Sequence, residues 1–142
     1  ILKNKRSFIS KKIKLNIHDV DKEVYSDSKW MVFILNQIII NSIKYSKKDK
    51  AEIEIFSKEY KDNIILYIKD NGIGIESDNL PRVFEKGFTG ENGRKVNKST
   101  GIGLYLCKKL CDKLGQNIEI HSVLNIETVV KIYFPKNSFT KF

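Results

Sequence analysis

Asp70-Asn-Gly-Ile-Gly-Ile75, followed after a basic, polar interval by Thr100-Gly-Ile-Gly-Leu104, organises this chain. Each glycine pair frees the main chain for conformations closed to other residues and lets a ligand approach the backbone. The second pair opens directly onto a helical pattern, whose first amides favour an anion. All eight glycines lie between residues 72 and 115. Glycines needed only for turns would be scattered, so their concentration marks one site.

Working outward, the alternating run Ile64-Ile-Leu-Tyr-Ile68 delivers the first motif. With Glu52-Ile-Glu-Ile-Phe56 and the polar turn Glu59–Asn63 it predicts an antiparallel hairpin. Upstream, Lys12–His18 alternates like a half-buried strand, and Ser26-Asp-Ser28 offers an N-cap to a long helix running from Asp27 to about Ser46. Downstream, Ser77–Val83 has a short helical pattern, and Thr89–Ser99 is polar without periodicity, so it is expected to be a flexible loop. A second helix is predicted from about Gly101 to Leu114, with Leu104, Cys107, Cys111 and Leu114 at helical spacing and Gly115 as its C-cap. Strands follow near Asn117–His121 and Thr128–Phe134. With no internal repeat and no linker, the pattern predicts an α/β (α+β) two-layer sandwich, a mostly antiparallel mixed sheet with helices packed on one face. One domain is expected over residues 1–135, with 136–142 a tail.

At 142 residues and 41% hydrophobic content, the chain suffices for one domain with a core. No apolar run approaches the ~20 residues that span a bilayer, and Ile1-Leu-Lys-Asn-Lys-Arg6 lacks the apolar segment of a signal peptide, so a soluble, intracellular piece is expected. Ile1 and a single methionine, Met31, suggest that it derives from a longer chain. The net charge of +9 raises nucleic acid as a partner, yet all but three of the 26 cations are lysines spread along the chain, whereas base reading favours arginine. A solvated basic surface is the better account. Cys107 and Cys111 have no companions to complete a metal site and fit two reduced thiols on a buried helix face. His18 and His121 lie in strand-like segments without a catalytic constellation.

The first helix carries an anomaly. At ~100° per residue, Trp30, Ile34, Gln37, Ile38, Asn41, Lys44 and Tyr45 fall on one side, apolar at its start and polar at its end. Amides on a core stripe must be hydrogen-bonded, so Gln37 and Asn41 are either a structural network or ligands. An Asn carboxamide oxygen suits Mg²⁺, which keeps waters and nucleotide phosphates as its other ligands. Asp70 ends a strand as a pure acceptor, suited to an exocyclic amine such as adenine N6, although Asp-Asn-Gly is also a good turn by itself. Residues 72–77 miss the third glycine of a dinucleotide fingerprint, and no P-loop or calcium-loop spacing is present.

Each motif is weak alone, but their order is specific. Asn41-x-x-Lys44-Tyr45, Asp70-x-Gly-x-Gly, Phe84-x-Lys-x-Phe88 and Thr100-Gly-x-Gly-Leu104 together resemble the ATP-binding catalytic domain of sensor histidine kinases, with its Bergerat fold, from about Lys11 to Pro135. Asp27-Ser-Lys-Trp30, Phe84-Glu-Lys-Gly-Phe-Thr-Gly90 and Leu106-Cys-Lys-Lys-Leu110 are most similar to the subfamily that senses bacitracin and other antimicrobial peptides alongside export pumps. The resemblance implies ATP and Mg²⁺ as cofactors, with Asn41 as the metal ligand, Lys44 a phosphate contact and Tyr45 packed near the adenine. It implies that Asp70 binds adenine while Gly72, Gly74 and Ile75 form the close turn. Arg82 and Lys86 then lie near the γ-phosphate, Gly101, Ile102, Gly103 and Leu104 form the phosphate-holding box, and Gly87–Thr100 matches the mobile lid.

Two departures stand out. Asn125-Ile-Glu-Thr128 replaces the family's Gly-x-Gly-Thr, leaving Thr128 to keep a hydrogen bond near the adenine. Gln37 stands where relatives that hydrolyse ATP or phosphorylate serine carry a Glu base. A histidine acceptor, with a pKa near ~6.5, already offers a lone pair at pH 7, so Gln37 is expected to orient rather than deprotonate. The implied function is a protein-histidine kinase of a two-component system, passing the γ-phosphoryl to a histidine on a dimerisation domain outside this chain and onward to a response regulator. This chain would be a monomer, its parent a homodimer, cytoplasmic here and membrane-anchored only through preceding sequence. No nucleic acid is expected. The alternatives are a stand-alone ATPase or serine kinase module, disfavoured by Gln37, and a nucleotide-free pseudokinase scaffold, raised by residues 125–128.

Overall fold

The computed structural model describes residues 12–22, 24, 26–88 and 103–136. Its elements run β1 (Lys14–Ile17), α1 (Ser28–Lys44), β2 (Glu52–Glu59), β3 (Asn63–Asp70), a 3₁₀ turn (Leu80–Arg82), α2 (Gly103–Lys113), β4 (Asn117–Val123) and β5 (Glu127–Pro135). The strands form one sheet in the order β1-β2-β3-β5-β4. Only β1–β2 is parallel; the other pairs are antiparallel. This is the expected mixed α/β sandwich, and the expected β2–β3 hairpin is present.

Strand register explains which residues make the core. Ile55, Ile68, Val130 and Ile120 lie in one cross-strand row, and Ser57, Leu66, Ile132 and Ile118 in the next. Since alternate residues share a face, these rows line the side against which Ile34, Ile38, Ile39 and Ile43 of α1 and Cys107 and Cys111 of α2 pack. The intervening row, Phe56, Tyr67, Lys131 and Glu119, belongs to the opposite face, where Phe56 stacks on Tyr67 with ring centroids 4.8 Å apart. Both thiols are free and buried, as expected.

Helix α1 begins where the N-cap pattern places it, with the Asp27 side chain accepting from Trp30 N at 3.1 Å. Its buried residues are Ile34, Ile38, Ile39, Ser42 and Ile43, a stripe centred on Ser42. Asn41 and Gln37 therefore lie along the edge of that stripe rather than on it, half-buried, and Trp30, on the same edge, is 41% exposed. The consecutive isoleucines 38, 39 and 40 leave the centre of the apolar face ambiguous in sequence, and burial of Ile39 and Ile43 rotates it away from Trp30.

The helical pattern over Ser77–Val83 contracts to turns and the 3₁₀ segment containing Pro81. Helix α2 ends as expected, Gly115 at φ 73° and Gln116 N donating to Cys111 O at 2.8 Å. His18 does have partners: its ring nitrogens are bonded to Asp19 Oδ2 at 2.9 Å and Glu54 Oε2 at 2.6 Å. Both carboxylates raise its pKa, Asp19 most. Through both ring nitrogens, His18 ties the end of β1 to β2. All of the polar 89–99 stretch, the lid beyond Phe88, and the tail from 137 lie outside the described residues.

Replacing Asp27 by Ala removes the acceptor for a free amide at the start of α1. The expected loss is about 1 kcal/mol of unfolding free energy, measured by denaturant titration.

Candidate functional site

The strap that follows β3 is fixed on three sides. Asn71 takes the place of a further strand residue: its Oδ1 accepts from Glu52 N at 2.8 Å, and its Nδ2 donates to Lys50 O at 2.8 Å. Ile73 N donates to Tyr45 O at the end of α1 at 3.0 Å, and Ile73 O accepts from Asn125 N at 2.7 Å. Ile75 N donates to Ser122 Oγ at 2.8 Å. These clamps require glycine at two positions. A Cβ on Gly72 would collide with the Tyr45 carbonyl, and one on Gly74, at φ 74°, would lie 2.5 Å from Val123 O. The Asp-Asn-Gly sequence is thus more than a turn, because it leads into Ile73, whose backbone joins the end of α1 to the β4–β5 hairpin.

Asp70 closes the inner face of β3. Its cross-strand row runs Ile53, Asp70, Thr128, Ser122, one polar row beyond the wholly apolar row of Ile55 and Ile68. Alternation alone therefore points a carboxylate toward the core, and Asp70 is only 7% exposed. Gly72 N donates to its Oδ1 at 2.9 Å, and the Ser42 hydroxyl of α1 is near enough to favour its charged form. Burial raises the Asp70 pKa from 3.8 to about 6, outweighing the Gly72 amide and the Ser42 hydroxyl, which favour its charge; nearby Glu127 raises it further. A carboxylate has about four acceptor positions, so the Gly72 amide leaves capacity for further donors.

Thr128, beside Asp70, is bonded to Ser122 Oγ at 2.7 Å. The Ser122 hydroxyl donates to Glu127 O at 2.8 Å, so Thr128 is the donor in the pair and retains acceptor capacity. Asn125, where the family pattern has glycine, sits at φ 63°. Asn is among the residues that best tolerate this left-handed conformation, so the hairpin turns here without a glycine.

The polar edge of α1 faces the start of α2. A Cβ on Gly103 would lie 2.6 Å from Gln37 Oε1, so Gln37 rests against the first described residue of α2. Asn41, Lys44 and Tyr45 follow along α1, all half-buried, and burial raises the Tyr45 phenol pKa. Lys86 approaches the Tyr105 ring of α2, its Nζ 5.9 Å from the centroid. Arg82 is engaged elsewhere among the described residues, bonding Glu85 through Nε at 3.3 Å and lying over Phe88 at 4.7 Å. Leu104 is half-buried on α2, while Gly101 and Ile102 lie outside the described residues.

Sequence inspection missed Ser42 and Ser122. Each has a signal in hindsight: Ser42 is a hydroxyl among Ile38, Ile39 and Ile43, and Ser122 occupies the inward phase set by Ile118 and Ile120.

The donors present fit a nucleotide better than a resident metal. Among the described residues no group of three His, Cys, Asp or Glu side chains could hold a metal. A lone Asn41 carboxamide instead suits Mg²⁺ brought in on phosphate oxygens. The buried acceptor at Asp70 and the close backbone approach at Gly72 suit a flat base bearing an amine.

Residues 26–138 match the histidine kinase-, DNA gyrase B- and HSP90-like ATPase family, and the chain belongs to it. Among individual relatives, the sensor histidine kinase YxdK of Bacillus subtilis (strain 168) is 42% identical over 134 residues, 92% of this chain and 40% of YxdK. The sensor protein BceS of the same organism is 40% identical over 132 residues, 92% of this chain and 39% of BceS. The chain thus spans about two-fifths of the length of these relatives. The fold matches the catalytic domain of histidine kinase ThkA with a TM-score of 0.79 and 20% identity, covering 95% of this chain and 88% of that one. ThkA in complex with the response regulator protein TrrA gives a TM-score of 0.74 and 16% identity, covering 95% and 37%.

The Asp70 pKa yields a stability test. Because the folded value of about 6 exceeds the ordinary 3.8, the folded state holds the proton more tightly, and the charged carboxylate costs stability as pH rises between those values. Asp70→Asn should therefore stabilise the free domain above pH 6 by about 3 kcal/mol, two pKa units' worth. The gain should vanish as pH falls toward 4, as read by denaturant titrations across that range.

Proposed function

We propose that this chain is the ATP-binding catalytic domain of a two-component sensor histidine kinase. The observation that carries this is the pairing, on one helix, of Gln37 set against the start of α2 with Ser42 beside the buried Asp70. One element thereby spans a base end and a phosphate end. Asp70 receives the adenine N6 amine, Gly72, Gly74 and Ile75 keep the strap close to the base, and Thr128 and Tyr45 flank it. Asn41 holds Mg²⁺, Lys44 and Lys86 face the phosphates, and the Gly101–Leu104 box supplies amides to them. Arg82 reaches the γ-phosphate only after leaving Glu85 and Phe88. Mg²⁺ supplies charge neutralisation of the phosphates.

The bond between the γ-phosphorus and its bridging oxygen breaks as a P–N bond forms to the acceptor histidine, with ADP leaving. Gln37 orients the reacting groups and removes no proton, consistent with an acceptor that already has a lone pair. The acceptor histidine lies on a dimerisation domain supplied by the rest of a homodimeric, membrane-anchored parent, and the phosphoryl group passes to a response regulator. YxdK and BceS support this assignment and the peptide-sensing subfamily. Residues up to Pro135 form the domain and the rest a tail.

Calorimetric titration with ATP and GTP, each with and without Mg²⁺, tests the proposal. Saturable, adenine-selective binding is expected, and no heat with either nucleotide would overturn it. Asp70→Asn should weaken ATP binding about tenfold or more, the worth of a hydrogen bond to a charged group, and erase selectivity over GTP. Asn41→Asp should instead alter the Mg²⁺ dependence. Equal loss of both properties in both variants would refute the division of roles. Gln37→Glu, which introduces a base, should raise ATP hydrolysis relative to transfer onto a supplied dimerisation domain.

A further inference from the structure

We infer that Ser122 is a positioning residue for base selectivity: its hydroxyl accepts the Thr128 proton, so that Thr128 faces the base as an acceptor and never as a donor. This rests on the proposed placement of the base at Asp70, and it deepens that reading by naming what turns away a purine with a 6-oxo group. Ser122 follows Ile118 and Ile120 in the inward phase of β4, where the strand pattern calls for a third β-branched aliphatic side chain. A hydroxyl there has to be explained by its partners.

A serine hydroxyl has one proton and two lone pairs, and three neighbours use all of them. Ile75 N donates to Ser122 Oγ at 2.8 Å. Glu127 O lies 2.8 Å away and, as a carbonyl, only accepts, so it takes the serine proton. Thr128 Oγ1 stands at 2.7 Å, and with the serine proton already given, that bond requires Thr128 to donate. Reversing it would set a serine lone pair against the Glu127 carbonyl at hydrogen-bond distance. The direction of one proton thus fixes what the end of the sheet offers. Thr128 is directly across from Asp70 in the β3–β5 register. With its own proton turned to Ser122, Thr128 Oγ1 has only lone pairs left, as does the ionised Asp70 carboxylate. The nearby strap amides do not supply a donor either, since Gly72 N is given to Asp70 and Ile73 N to Tyr45 O. A 6-amino group brings two N–H donors to adjacent acceptors, whereas a 6-oxo group sets lone pairs against lone pairs.

The test compares ATP with inosine triphosphate, which carries a 6-oxo group in place of the 6-amino group. Dissociation constants for both are measured by calorimetry with Mg²⁺ on the wild-type chain, Ser122→Ala, Thr128→Val and the double variant. The wild type should prefer ATP about tenfold or more. Ser122→Ala frees the Thr128 hydroxyl to donate and should lower that preference about threefold or more, while the same substitution made on Thr128→Val should leave the preference unchanged. Loosening of the strap through the Ile75 amide would act whether or not residue 128 has a hydroxyl. A fall of equal size in both backgrounds therefore overturns the inference, and so does the absence of a fall in the wild-type background. If the wild type itself does not distinguish the two nucleotides, the placement of the base at Asp70 fails first and this inference falls with it. Should Ser122→Ala not fold, Ser122→Cys, whose sulfur is a weak acceptor, must show the same Thr128-dependent fall.

Discussion

Burying a carboxylate on the core side of a sheet is costly unless donors surround it, and Asp70 meets part of that demand by recruiting three separate parts of the chain. Its own strap contributes the Gly72 amide, α1 contributes Ser42, and the strap is held in place by Tyr45, Asn125 and Ser122. The requirement propagates outward. Gly72 and Gly74 must lack side chains for the strap to lie this close, α1 must end where Tyr45 O can receive Ile73, and the β4–β5 hairpin must turn where Asn125 can reach the same residue. The packing of α1, the sheet and the hairpin is thus conditioned on housing one charge whose pKa stands near 6. A fold selected for stability alone would have no reason to retain it.

Helix α1 answers to two neighbours at once. Its isoleucines settle on the sheet, while Gln37 and Asn41 run along the boundary with α2 at intermediate burial. Edge positions of this kind let a side chain be held by packing on one flank and remain reachable on the other, which is what a ligand-binding amide needs. Substitutions on this helix are therefore prone to affect stability and binding together, and only measurements of both can separate them.

Most of the architecture was legible because local pattern and tertiary burial agree. The alternation of Glu52–Phe56 and Ile64–Ile68 matches a sheet with one covered face, and Asp27 and Gly115 mark helix ends through backbone chemistry that needs no distant partner. The glycine motifs and Asp70 were legible for the same reason, since their constraints are written in adjacent residues. What escaped depends on contacts across the fold. Three isoleucines in a row hide which side of α1 is buried, so Trp30 was assigned to a face it only borders. Ser42 and Ser122 acquire meaning only once β3 and β4 are placed beside them. The altered 125–128 stretch reads as a defect in sequence because composition shows two missing glycines but not that asparagine at 125 adopts a left-handed backbone angle.

The two cysteines give the domain a further property. Both are fully enclosed, and burial pushes their pKa values up to about 12 for Cys107 and about 11 for Cys111, while thiolates rather than thiols are the reactive species. Peroxides and disulfide reagents therefore meet inert sulfur as long as α2 stays seated. Each labelling event by a thiol-specific dye would mark a departure of that helix from the core, which makes the pair an intrinsic stopwatch for opening of the fold.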